Sequence, residues 1–179
     1  MIQLFGIDVL SEQSVEGKNG HRKRVRPFRK LSERLENCTR DGLADDGLHF
    51  YYHELVEGDF FGWPECRISP EMLLTYEKNI VQHTEKINAS RSTAIHWKYY
   101  QWLTLLFVEI YLDRYFGNRE KLLNDLNIFV DKFNQTYGEN GLSVNFYKDS
   151  DLNKLCLQNA TGSGKTLLMT VNYWQYRFY

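Results

Sequence analysis

The chain has 179 residues, 42% hydrophobic and 15% aromatic, which is enough for a packed core and excludes a disordered tail. A formal net charge of −1 gives no overall attraction to nucleic acid. Its three cysteines, Cys38, Cys66 and Cys156, are widely spaced, which argues against a disulfide framework and fits a reducing compartment.

Residues 1–68 read as a mixed segment. The start, MIQLFGIDVLSEQSVEG, carries acids where a signal peptide needs positive charge. A basic run follows at 21–30, with Arg22, Lys23, Arg24, Arg26, Arg29 and Lys30 around Phe28. Clustered positive charge beside an aromatic suits a phosphate backbone, so these six are the candidate nucleic-acid residues. A solvated charged face would give the same pattern. Leu48 to Phe61 is aromatic and strand-like. His49 and His53, with Glu54 and Cys66, could be drawn as a zinc site, but on a strand a four-residue spacing separates the ligands.

Residues 69–150 read as a helical region. Ser69-Pro70-Glu71 is a helix start, with Ser69 as cap, Pro70 in the first turn and Glu71 at the positive end. That helix runs to about Asn88. A second covers about Ala94 to Phe116, apolar on most faces and so central. The longest apolar stretch, Trp102 to Leu112, contains Glu109 and is too short to span a bilayer, so a soluble, cytoplasmic protein is expected. Asn118 can cap a third helix, with Leu122, Leu126, Phe129, Phe133 and Tyr137 along one side and Gly138 as its stop.

Residues 151–179 carry the most specific signal, Asn159-Ala160-Thr161-Gly162-Ser163-Gly164-Lys165-Thr166. Leu155-Cys156-Leu157 before it is long enough for a buried strand, and helical spacing follows it. Strand, glycine loop and helix is the setting of a phosphate-binding loop. Glycines let backbone N–H groups turn inward, and the helix N-terminus adds partial positive charge. Lys165 then reaches the terminal phosphates, and the Thr166 hydroxyl holds Mg²⁺. The strict pattern wants glycine where the chain has Asn159.

The string Ala-Thr-Gly-Ser-Gly-Lys-Thr resembles motif I of superfamily-2 DEAD/DEAH-box helicases. It is most similar to the form in type I and type III restriction-enzyme motor subunits. The resemblance is strong over about a dozen residues around the loop. It implies ATP and Mg²⁺ as cofactors, with Ala160, Thr161, Gly162, Ser163, Gly164, Lys165 and Thr166 holding the nucleotide. Such proteins commonly carry a glutamine upstream that reads adenine, and Gln101 in Tyr99-Tyr100-Gln101 is the candidate. The implied partners are nucleic acid, double-stranded DNA above all, and a modification or specificity subunit. The implied activity is ATP-driven translocation or strand separation.

The expected fold is therefore α-rich, with three main helices and short strands leading into the first strand, loop and helix of an incomplete α/β RecA-like domain. Hydrolysis needs a second acidic motif and arginines. Neither follows Thr166 before Tyr179, so the reading expects the N-terminal part of a longer protein, inactive alone. Two other readings stay open: a helical module that docks a partner or DNA without ATP, and a small P-loop kinase.

Overall fold

A computed structural model describes residues 2–8, 10, 14–16, 22–24, 27–62, 64–158 and 160–179. Strand is confined to a short hairpin, β1 (Ser14–Glu16) with β2 (Arg22–Arg24), in which Val15 faces Lys23 across the pair. The main helices among the described residues are α1 (Pro27–Glu36), α2 (Phe50–Val56), α3 (Pro70–Asn88), α4 (Tyr99–Gly117), α5 (Arg119–Tyr137) and α6 (Lys165–Phe178).

The helix starts follow their local chemistry. Ser69 Oγ accepts from the Met72 N–H at 3.2 Å, ahead of Pro70. Asn118 Oδ1 accepts from the Lys121 N–H at 2.9 Å, so one residue separates α4 from α5 and also caps the second helix. The expected strand over 48–61 is instead α2 and a 3₁₀ turn at Asp59–Gly62. Tyr51, Tyr52 and Leu55 all reach the core from one side of a helix, so packing at a helical period overrides the β preference of the aromatics.

The core is built around α4, which buries Trp102, Leu103, Leu105, Leu106, Val108, Ile110, Tyr111 and Leu112. It meets α1, α3, α5 and α6. The most buried contact set joins α2, α3 and α4 through a polar group. Glu77 on α3 is fully buried and its carboxyl accepts from the His49 backbone N–H at 2.6 Å, His49 Nδ1 at 2.7 Å and Trp102 Nε1 at 2.8 Å. Three donors on one buried carboxyl replace the water it loses. In contrast, α5 buries only Leu122 and Val130 of its side chains, and Phe129, Phe133 and Tyr137 stack as a half-exposed row.

The incomplete α/β RecA-like domain expected at the C-terminal end is not what forms. Leu155-Cys156-Leu157 pairs with no strand, and Leu155 and Leu157 are 46% and 38% exposed. A strand needs backbone partners on a neighbour, and among the described residues none lies beside this segment. With no sheet to cover, α6 lays Leu168, Val171 and Gln175 onto α3 and α4. Gln175 Nε2 donates to the Leu105 carbonyl at 3.0 Å, and Tyr179 Oη donates to Glu109 Oε2 at 2.9 Å. The chain is thus a helical assembly in which the helix after the glycine loop is part of the core. Among the described residues, no helix is long and apolar enough to cross a membrane.

Two buried titratable groups flank α6. Burial raises the Glu109 carboxyl above the usual carboxylate range, against the lowering bonds from Asn79 and Tyr179. Burial also lowers His83, which packs edge-on to Phe178, from 6.5 to about 4, with Lys86 adding to the shift. Their pH signatures oppose. The Glu109 contribution is complete below its unfolded value and is lost as pH rises through its raised folded value. The His83 contribution is complete above 6.5 and is lost as pH falls towards about 4. In urea melts across pH, Glu109→Gln should remove the loss that sets in as pH rises above the unfolded carboxylate value, and His83→Leu the loss on the acid side. At neutral pH, Glu77→Ala should destabilise by about 3–5 kcal/mol in the same melts, the usual result of removing one partner of a buried pair.

Candidate nucleotide-binding loop

The loop runs from Ala160 to Gly164 and ends as the cap of α6. Gly162 and Gly164 have φ of +78° and +77°, so both need the left-handed conformation that L side chains disfavour. That pair of turns brings the Ser163 N–H to the Ala160 carbonyl at 3.2 Å. Among the described residues no acceptor meets the N–H groups of Gly162, Gly164, Thr166 and Leu167. They are the orphan donors of a helix start and of the turn before it, and they form a compact anion-seeking set. Lys165 and Thr166 are exposed beside them, and Lys165 Nζ donates to the Ala160 carbonyl at 2.9 Å. Asn159 lies outside the described residues.

Gln101, the candidate for reading adenine, sits directly against this loop. Its Oε1 accepts from the Lys98 N–H at 2.8 Å, capping the start of α4, while its Nε2 donates to the Ser163 carbonyl at 2.9 Å. One side-chain amide therefore pins the glycine loop to the first turn of α4. The contact is close: a Cβ on Gly164 would lie 2.7 Å from Gln101 Nε2. Lys98 is itself held by Asp41, which also accepts from Tyr51 Oη, and these bonds, Lys98 first, keep the Asp41 carboxyl below its usual range.

Beside the loop lies an open groove of about 660 Å³. Tyr100, Leu103, Thr104 and Phe107 of α4 form one wall, and residues 156–158 with the loop itself form the other. Its lining is mostly apolar and includes no carboxylate. Sequence reasoning missed this wall, because the partner residues lie far along the chain and nothing local marks Leu103 or Phe107 as anything but core.

The fit to a nucleoside triphosphate with Mg²⁺ is good at the phosphate end. N–H groups without an acceptor among the described residues, a helix N-terminus, an exposed lysine and an exposed threonine lie within six residues of one another. Thr166 would contribute a hydroxyl to Mg²⁺ carried in by the phosphates. No group of three or more His, Cys, Asp or Glu able to hold a metal exists among the described residues. His49 and His53 serve separate acids, Glu77 in the core and Asp46 at 3.2 Å near the surface, and so do not converge.

The basic run divides. Arg22, Lys23 and Arg24 form β2, Arg29 and Lys30 fall in the first turns of α1 with Arg29 exposed, and Arg26 lies outside the described residues.

The two glycines should respond differently to alanine. Gly162→Ala meets open space and suffers only the left-handed strain, about 1–2 kcal/mol. Gly164→Ala adds a collision with Gln101, so it should destabilise more and speed hydrogen exchange over residues 163–168. Adding Gln101→Ala should recover part of that difference. Compared with known proteins, the chain matches no family model, no curated protein and no solved structure.

Proposed function

We propose that the loop at 160–166 grips the phosphates of ATP with Mg²⁺, and that the chain serves as the nucleotide-holding element of a nucleic-acid helicase or translocase of the restriction or phage-defence type. The observation that supports binding is the cluster of unpaired N–H groups under two left-handed glycines, beside Lys165. Phosphate oxygens would accept from those N–H groups, and Lys165 would exchange the Ala160 carbonyl for a terminal phosphate. The motor assignment rests on the motif I resemblance, and DNA as its track on that resemblance together with the basic run at 22–30.

Hydrolysis is a separate matter. It requires an acidic group to orient water and hold Mg²⁺, and arginines for the developing charge. The residues that line the groove include neither, so binding without turnover is the expected result.

A second reading, a helical module that docks a protein partner, is favoured by one observation. Met169, Tyr173 and Tyr176 form an exposed stripe on α6, at 69%, 55% and 58% exposure, at i, i+4 and i+7.

Titration with a fluorescent ATP analogue and Mg²⁺ separates these. Wild type should bind without measurable hydrolysis. Lys165→Ala should weaken binding by about ten- to hundredfold, the scale of one charge-assisted contact to phosphate. Equal binding by wild type and Lys165→Ala would reject the phosphate role and leave the docking module.

A further inference from the structure

In the family that motif I resembles, base recognition is expected of the upstream glutamine. In this chain the geometry gives Gln101 other work. Its oxygen is taken by the Lys98 N–H and its nitrogen donates to the Ser163 carbonyl, so reading a base edge would break the cap of α4 or free the loop. The groove offers a different surface. It shares Ala160, Thr161, Gly162 and Ser163 with the phosphate loop, so whatever the loop holds by its phosphates extends naturally into it. The opposite wall presents Tyr100, 39% exposed, and the half-buried Phe107, with the buried Leu103 as the floor between them. At about 660 Å³ the groove falls within the ordinary range of about 300–1,000 Å³ for small-molecule sites.

The α4 wall is also poor in groups that discriminate, and the polar side chains of the other wall, Gln158 and Thr161, are exposed to solvent. Thr104 spends its hydroxyl on the Tyr100 carbonyl at 2.8 Å, one turn back along α4. An apolar wall with an aromatic ring favours the flat face of a heterocycle and is indifferent to its edge.

We propose that this groove is the nucleoside subsite, holding the base of the bound triphosphate by face contact with Tyr100 and Phe107, with little choice between adenine and guanine. Gln101 is then a positioning residue that fixes the loop. The inference rests on the phosphate-binding reading above and extends it from the phosphates to the base.

The test compares Mg²⁺ complexes of ATP, GTP and inorganic triphosphate as competitors of the fluorescent analogue, on the whole 179-residue chain. ATP and GTP should compete within a few-fold of each other and about ten- to hundredfold better than triphosphate, the scale of base–aromatic stacking. Tyr100→Ala should reduce that advantage while leaving triphosphate competition unchanged. Thr104→Trp, which fills the groove from a half-buried position, should do the same if Tyr100→Ala perturbs folding. A readout independent of substitution is Cys156, whose exposed thiol lines the groove. Its alkylation should slow with ATP or GTP bound and not with triphosphate.

If triphosphate competes as well as ATP, or Cys156 stays equally reactive, the groove assignment falls and the phosphate loop stands. If neither triphosphate nor nucleotide binds, both readings fall together. A preference of ATP over GTP of about a hundredfold that vanishes in Gln101→Ala would return base reading to the glutamine and overturn the proposal.

Discussion

The structure depends on one buried carboxyl. Glu77 sits at zero exposure in the middle of α3, and a carboxyl there is tolerable only because three donors converge on it. Two come from His49, whose backbone N–H opens α2, and the third is the indole of Trp102 on α4. Because each donor must point at the same small group, the rotation of α4 about its axis is fixed. Gln101 and Leu103 are the neighbours of that tryptophan. With Trp102 turned inwards, the first turn of α4 presents Gln101 to the Ser163 carbonyl and Leu103 to the groove. The position of the glycine loop is thus linked through one helix to a bond in the core.

A second polar seam fastens the far end of α6. Tyr179 and Asn79 both donate to Glu109 Oε2, and Gln175 donates to a carbonyl of α4. The seam is less complete than the first, since Glu109 Oε1, Gln175 Oε1 and both His83 nitrogens are buried with no hydrogen-bond partner among the described residues. Under-satisfied polar groups weaken a packed interface. The helix that carries the phosphate loop is therefore joined at its start by Gln101 and along its buried side by apolar contacts, with a polar end that responds to protonation.

The three long helices were legible in the sequence because their signals are local. Ser69 before Pro70, Asn118 after Gly117, and apolar spacing between them need no knowledge of the rest of the chain. The turn ahead of α6 was legible for the same reason, since Gly162 and Gly164 set it through their own backbone. The segment 155–157 misled because an apolar triplet signals burial without naming the partner, and a strand exists only where another backbone lies beside it. Residues 50–56, also read as strand, misled for another reason, as aromatic β preference lost to packing at a helical period.

By itself, then, the sequence determined what each short stretch can do: which residues start and stop helices, and which loop can hold an anion. Tertiary structure decided what those stretches meet. It set Gln101 against the Ser163 carbonyl as a brace of the loop, paired His49 with Glu77 instead of with His53, and placed an apolar groove beside the glycine loop. The physical reason is range. Capping and backbone turns are settled within a few residues, whereas a hydrogen-bond partner or a groove wall is chosen by whichever distant helix packs there, and residue types alone do not encode that choice.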